Sequence, residues 1–151
     1  MARFVSVIYC DDIRNEVGNK QSFIGVYRTN LYVPKFPAAL PKLCVVISVQ
    51  TNKNEPFTSL KYRLLNIDAQ IAEAVVPPEA LVPHTEKASS DPSADGYIVC
   101  TLALVLAPFK IEAAMRLRVR VDADGEELKG PALIIDQAPE QIPEQAQQVA
   151  R

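Results

Sequence analysis

The sequence predicts an all-β protein, built as a two-sheet antiparallel β-sandwich with a flexible C-terminal tail. Short runs rich in β-branched and aromatic residues recur along the chain, separated by glycine, proline and asparagine. The last two runs flank Asp124-Gly125, which favours a tight hairpin because a type I′ turn needs positive φ at both central residues. No segment shows the 3.6-residue apolar period of an amphipathic helix.

The N-terminal third predicts a hairpin. Residues 3–10 are rich in β-branched and aromatic side chains and predict a strand. Residues 11–21 predict a charged turn, with Gly18-Asn19 at its tightest point because both residue types tolerate positive φ. Residues 22–33 predict one return strand, in which Gly25 indicates a bulge or a close approach of the backbone.

The middle of the chain predicts two or three further strands. Three prolines between positions 34 and 41 predict an extended connection. Residues 42–50 alternate with period two, which predicts a strand with one fully buried face. After a loop at 51–58, residues 59–68 predict a strand that 69–76 either extends or pairs with.

The segment 79–96, which contains the single histidine His84, predicts a long loop whose composition is typical of disorder. Residues 97–107 are the most apolar run and predict a central strand. Residues 115–121 alternate arginine with apolar side chains, which predicts a strand with one buried face. The return strand at 126–136 should contain a bulge or form a sheet edge at Gly130-Pro131.

The order of these elements favours an immunoglobulin-like topology, with the final hairpin as its closing strands. Residues 137–151 are rich in proline and glutamine without an apolar period. We therefore expect a β-sandwich domain over residues 1–136 and a solvated tail over residues 137–151, which orders only on a partner if it orders at all.

Composition limits the classes of function. The 151 residues carry a formal charge of -2, which provides no strong field for nucleic acid. The longest apolar run is shorter than the roughly 20 residues of a helical membrane span, and no secretory signal is apparent. Cys10, Cys44 and Cys100 stand singly in apolar runs, as is typical of buried thiols in a cytosolic protein.

A motif in the first third of the chain resembles a known family. It comprises Asp11-Asp12-Ile13-Arg14, Glu16, Gly18, Lys20, Ser22, Gly25-Val26-Tyr27 and Leu40-Pro41-Lys42-Leu43. These residues resemble a family of small bacterial and phage-borne proteins defined as a domain of unknown function. The resemblance implies a bacterial or phage origin and a stand-alone β domain, and it implies no activity, substrate or cofactor.

The candidate site is the charged turn, with the residues Asp11, Asp12, Arg14, Glu16 and Lys20. Three interpretations are open. A bidentate pair between Arg14 and a carboxylate would tie the turn to a neighbouring strand, which is the simplest of the three. The turn would otherwise face a partner, or its carboxylates would gather around calcium, which takes 6–8 oxygen ligands.

Other candidate sites have weaker signals. His84 lacks the neighbours of a nucleophilic pair and is interpreted as a surface residue. The arginines at 116, 118 and 120 form a basic row without aromatic residues, interpreted as a solvated sheet face balanced by carboxylates. No glycine-rich phosphate loop occurs. We therefore expect no catalytic residue, no metal ion and no cofactor.

These observations predict a non-enzymatic module that binds another protein or itself, in the bacterial cytoplasm or in a virion. In the virion it would be a minor structural component, and in the host cell a factor aimed at a host protein. No nucleic acid and no membrane are expected among its partners. The alternative is a ligand- or calcium-binding β-sandwich module that uses the Asp11–Lys20 turn.

Overall fold

The computed structural model describes residues 3–82 and 96–139, and these are nearly all β-structure. Residues 78–82 form a short helix at the start of the segment predicted as a loop. Residues 83–95 of that segment, with His84, and residues 140–151 of the predicted tail lie outside the described residues. The strands are β1 (Phe4–Glu16), β2 (Lys20–Tyr27), β3 (Asn30–Val33), β4 (Ala38–Leu40), β5 (Leu43–Asn52), β6 (Leu60–Asn66), β7 (Ala69–Val76), β8 (Tyr97–Leu106), β9 (Phe109–Ile111), β10 (Met115–Ala123), β11 (Glu126–Lys129) and β12 (Leu133–Gln137).

Two larger sheets contain most of these strands. Sheet A has the order β2-β1-β5-β8, and all its neighbours are antiparallel. Sheet B has the order β3-β12-β10-β6-β7, with β11 also paired to β10. The prediction of an antiparallel all-β protein is confirmed, with one exception: β3 runs parallel to β12. A small third sheet pairs β4, which lies within the proline-rich segment 34–41, with β9, which directly follows Pro108.

Sheets A and B share one apolar core, because one face of each central strand is apolar. The odd-numbered residues of β5 from Leu43 to Val49 are fully buried, as the period-two pattern predicted. In β10, Leu117, Val119 and Val121 are also fully buried, while the arginines between them lie on the other face. Side chains of both strands belong to one buried apolar cluster.

Two buried tyrosines connect the sheets in opposite directions. The Tyr9 hydroxyl of β1 donates a hydrogen bond to the Pro131 carbonyl, 2.7 Å away, between β11 and β12. The Tyr62 hydroxyl of β6 donates to the Cys100 carbonyl of β8 at 3.2 Å. Burial raises the pKa of both phenols well above the ordinary value, so each remains a hydrogen-bond donor at any physiological pH.

The N-terminal hairpin differs from its prediction in two ways. Residues 11–16, predicted as part of a turn, continue β1 and pair with β2 up to Glu16. The turn contains only residues 17–19, and the positive φ of Gly18 and Asn19 confirms its predicted tight point. The return strand predicted at 22–33 is divided, because the chain crosses from sheet A to sheet B at residues 28–29.

The second half of the chain confirms one hairpin and corrects one strand. Asp124 and Gly125 both have positive φ and connect β10 to β11, as predicted. The return strand is interrupted at Gly130-Pro131, so that β11 and β12 each pair with a different part of β10. Strand β8 was predicted to be central, but it lies at the edge of sheet A. Its outward-facing residues, Tyr97, Val99, Thr101, Ala103 and Val105, are exposed.

Candidate functional site

The five predicted site residues lie along a two-stranded ribbon, where β1 and β2 extend past the pairing of β1 with β5. In this ribbon Glu16 pairs with Lys20 and Arg14 with Ser22. The side chains therefore follow one another along an extended strand and do not surround a common centre. Each residue of an extended strand adds about 3.3 Å, so Asp11 and Glu16, at opposite ends of this part of β1, lie too far apart to share a ligand.

Asp12 is held by a residue of a neighbouring segment. The Lys42 ammonium, just before β5, donates a hydrogen bond to Asp12 Oδ1, which also accepts the backbone N–H of Ile13 at 2.9 Å. The hydrogen bond from Lys42 lowers the pKa of the Asp12 carboxyl, and the same bond raises the pKa of Lys42. The predicted charged link to a neighbouring strand exists, but Lys42 makes it in place of Arg14.

Asp11 is positioned by the backbone opposite it. Its carboxylate accepts a hydrogen bond from the Tyr27 hydroxyl, and it lies against Gly25 on the paired strand. Burial, followed by the hydrogen bond to Asp11, raises the pKa of Tyr27. Gly25 has a φ of +68°, and a Cβ built there would lie 2.8 Å from Asp11 Cγ. The prediction of a close backbone approach at Gly25 is confirmed.

We expect Gly25→Ala to lower the free energy of unfolding by about 2 kcal/mol, because alanine is strained at positive φ and its methyl would collide with Asp11. Gly18→Ala is the matched control, since Gly18 also has positive φ (+91°) but has no heavy atom within 4 Å of an added Cβ. Chemical denaturation of both variants measures the difference. Equal losses would show that the Asp11 contact is unimportant.

The tip of the ribbon carries the other three site residues. Arg14 Nε lies 3.4 Å from Glu16 Oε1, and the Arg14 side chain is 70% exposed. Such an exposed ion pair contributes little to stability. Glu16 also accepts a hydrogen bond from the Ser22 hydroxyl at 3.3 Å. Glu16 and Lys20 line an open groove together with Val99 and Thr101 of β8.

The calcium interpretation has no preformed cage. In residues 3–82 and 96–139, no three carboxylate, thiol or imidazole side chains come together as a metal-binding group. Asp11, Asp12 and Glu16 instead accept hydrogen bonds from Tyr27, Lys42 and Ser22, respectively.

We therefore expect added calcium chloride to leave the melting temperature unchanged, because ligands already bonded to three different donors would have to be released. Thermal unfolding with and without the salt measures this. Magnesium chloride at equal ionic strength is the control. A calcium-specific rise that Asp12→Asn abolishes would contradict the expectation.

Two cysteines that stand far apart in the sequence face each other across sheet A. Cys10 of β1 pairs directly with Cys44 of β5, and both are buried. Cys44 Sγ also lies 3.9 Å from the Asp11 carbonyl oxygen. Burial is the main cause that raises the pKa of the Cys10 thiol, to about 11, and it raises that of Cys44 as well.

We expect the native protein to react slowly with iodoacetamide at neutral pH, because the thiolate is the reactive species and these thiols are buried and protonated. Mass spectrometry counts the alkylated cysteines before and after unfolding in urea. Rapid alkylation of Cys10 or Cys44 in the folded protein would contradict their burial.

The basic row of β10 lies on the outward face of sheet B and is neutralised in part. Arg63 of β6 binds Asp122 through two nitrogens, at 2.7 and 3.1 Å, and Glu127 at 2.8 Å. Arg120 Nε lies 4.0 Å from the same glutamate. The interpretation of this row as a sheet face balanced by carboxylates agrees with these contacts.

A polar cluster not identified in the sequence joins the first strand to the last hairpin. Arg3 Nη2 lies 2.7 Å from Asp124 Oδ2, and Arg3 also donates to the Ala123 carbonyl at 3.1 Å. Asp124 Oδ1 accepts the backbone N–H groups of Thr58 and Ser59 at 2.9 and 2.7 Å. The arginine side chain is only 11% exposed, and its guanidinium lies 4.9 Å from the centre of the Phe57 ring.

The comparisons with known proteins bear on the family of this chain. No curated protein and no solved structure matches the chain. In the described part of the chain, no helix has the length and apolar character needed to span a membrane. A family of unknown function, DUF6941, matches residues 5–136, which include every strand from β2 to β11 and nearly all of β1 and β12. The chain therefore belongs to the DUF6941 family.

Proposed function

We propose that the protein is a non-enzymatic interaction module of bacterial or phage origin, which binds other proteins through the outward face of sheet A. The resemblance in the first third of the chain supports the origin, with a place in the host cytoplasm or in a virion. A single observation carries the binding role: this face has no charged residues where β1, β5 and β8 pair with one another, whereas the corresponding face of sheet B is rich in them.

The absence of charge covers the centre and one edge of sheet A. Residues 4–10 of β1 and the whole of β5 and β8 contain no aspartate, glutamate, lysine, arginine or histidine. In β5 the odd-numbered side chains fill the core, so the even-numbered ones lie on the other face, where Cys44 and Val46 are also buried. The outward face of sheet B is charged, because β10 places arginines at positions 116, 118 and 120 there.

Exposed apolar side chains lie at both ends of this face. Phe4 and Val99 both occupy the row of Gln50, and Val105 occupies the row of Cys44. Their exposed fractions are 62%, 49% and 56%, respectively. Side chains directly opposite one another share a face, so the three belong to the same surface. Ser48 and Thr101 occupy a row between them, with their hydroxyl groups 2.9 Å apart, so the exposed apolar side chains flank a polar strip. An uncharged surface with exposed apolar side chains is typical of a protein-binding site.

The proposal includes the architecture that presents the face, an immunoglobulin-like β-sandwich of sheets A and B. The shared apolar cluster and the reciprocal hydrogen bonds of Tyr9 and Tyr62 support face-to-face packing. In such a sandwich each sheet has one face in the core, which leaves the other for solvent or for a partner.

The test compares proteins captured from a bacterial host lysate by the wild-type chain and by Val99→Lys/Val105→Lys. The matched control is Tyr32→Lys/Ile134→Lys, which adds the same charge at exposed positions of sheet B (53% and 43%). We expect the sheet A variant to lose the captured proteins and the control to keep them. Equal capture by all three folded chains, with equal melting temperatures, would overturn the proposal.

A further inference from the structure

We propose that β8 is a dimerisation strand, which pairs antiparallel with β8 of a second copy of this chain. The two four-stranded A sheets, one from each copy, would then form a single eight-stranded sheet across a twofold axis. This inference rests on the proposed role of sheet A as the binding side of the molecule, and it names one partner of that sheet. The observation that carries it is a difference among the four strands at the ends of sheets A and B, β2, β8, β3 and β7.

Three of the edges are protected against pairing. Strand β3, at one edge of sheet B, has only four residues. Strand β7, at the other edge, carries Glu73 at its middle, and its register against β6 is irregular near Leu64 and Leu65. Strand β2, at the first edge of sheet A, begins with Lys20 and contains Gly25 at a φ of +68°. Short length, charge and bulges are the devices that prevent edge-to-edge association.

The fourth edge has none of these devices. Strand β8 has ten residues, all paired with β5 in one unbroken register from Tyr97 to Leu106. It contains no charged residue, no proline and no glycine. Among the strands of the described chain, β5 is its only neighbour in sheet A, so its second row of backbone groups has no strand partner there. A long, regularly paired, uncharged edge is a template for another strand.

A second copy fits this edge better than a charged foreign strand. Antiparallel pairing of β8 with itself sets only uncharged side chains opposite one another, so no like charges meet. The same pairing of β7 would bring two copies of Glu73 close together. A twofold pair also uses the β8 edge of both copies, which closes the assembly and prevents growth into a fibre. The uncharged parts of the two A sheets would become continuous.

The mass of the full chain in solution tests the inference. Light scattering after size-exclusion chromatography should give twice 16.6 kDa for the wild type. Thr101→Lys/Ala103→Lys and Thr101→Glu/Ala103→Glu each add two like charges at exposed positions of β8, and each should be monomeric. Mixing these two variants should restore the dimer, because lysines of one copy then face glutamates of the other. Tyr32→Lys/Ile134→Lys should remain dimeric.

A monomeric wild-type chain throughout a concentration series would overturn the inference. A dimer that persists in both β8 variants, or that only the sheet B control dissociates, would also overturn it. These outcomes differ from failure of the proposed function. A monomeric wild type whose captured proteins are lost in Val99→Lys/Val105→Lys would leave the binding role of the face intact. A dimeric wild type whose captured proteins are unchanged in that variant would overturn the binding role of the face and leave the β8 pairing intact.

Discussion

Replacement of Asp124 by alanine is expected to lower the free energy of unfolding by about 3 kcal/mol. The change removes the charged acceptor of Arg3 and of the backbone N–H groups of Thr58 and Ser59. It also leaves the largely buried Arg3 guanidinium without its carboxylate. Finally, it places alanine at a φ of 51°, which asparagine and aspartate tolerate better. Urea denaturation followed by far-ultraviolet circular dichroism measures the loss.

Asp124→Asn is the matched control, because asparagine tolerates positive φ and still has an oxygen that can accept the two backbone N–H groups. It lacks only the charge, so we expect it to lose about half as much stability as the alanine variant. Asp136→Ala, at an exposed position of β12, should have almost no effect. A loss below about 1 kcal/mol in Asp124→Ala would contradict the structural role of the cluster.

The same carboxylate gives stability a defined dependence on pH. Burial alone would raise the pKa of Asp124, but hydrogen bonds from Thr58, Ser59 and Arg3 outweigh it and lower the pKa to about 2. Because the folded-state pKa is below that of the unfolded chain, the contribution is complete above pH 4. It is lost as the pH falls from about 4 to 2. Asp124→Asn should flatten this part of the stability curve.

Gly130→Ala is the second substitution with a large expected effect, about 2 kcal/mol of lost stability. A Cβ at Gly130 would lie 2.7 Å from Val7 Cγ2 and 3.3 Å from Val119 Cβ. Val7 belongs to β1 of sheet A and Val119 to β10 of sheet B, so the added methyl would press the two sheets apart. Gly130 is not one of the glycines with positive φ, so the expected effect is one of packing.

A double-mutant cycle with Val7→Ala isolates this packing effect. Val7→Ala should itself destabilise the protein, because it opens space between the sheets. Combined with Gly130→Ala, it provides room for the new methyl, so the double variant should be more stable than the sum of the single losses predicts. Additive losses in the cycle would show that Gly130 and Val7 do not approach each other across the core.

The sequence predicted the strands better than their arrangement. The periods of β5 and β10 and the turns at Gly18-Asn19 and Asp124-Gly125 depend on neighbouring residues, and all four were found as predicted. The division of residues 22–33 between two sheets and the edge position of β8 depend on the order of strands in space. Hydrophobic periodicity reports burial and carries no information on that order.

The candidate site shows the same limit. The sequence predicted a pair between Arg14 and a carboxylate, whereas Asp12 is bound by Lys42, which lies 30 positions away. Arg3 and Asp124 are 121 positions apart, and no local pattern joins them. The pairing of Cys10 with Cys44 likewise follows only from the register of β1 with β5. The three cysteines therefore looked isolated in the sequence.

The parallel pairing of β3 with β12 has a consequence for how the protein is made. Strand β3, near position 30, cannot form this pair until β12 has been synthesised, and β12 begins at Leu133, about a hundred positions later. Long-range contacts of this kind slow folding, because distant segments must meet before any energy is gained. On the ribosome, the apolar side of β3 therefore remains without its neighbour until the chain is nearly finished. A product truncated before residue 133 would lack this strand and would be a substrate for chaperones and proteases.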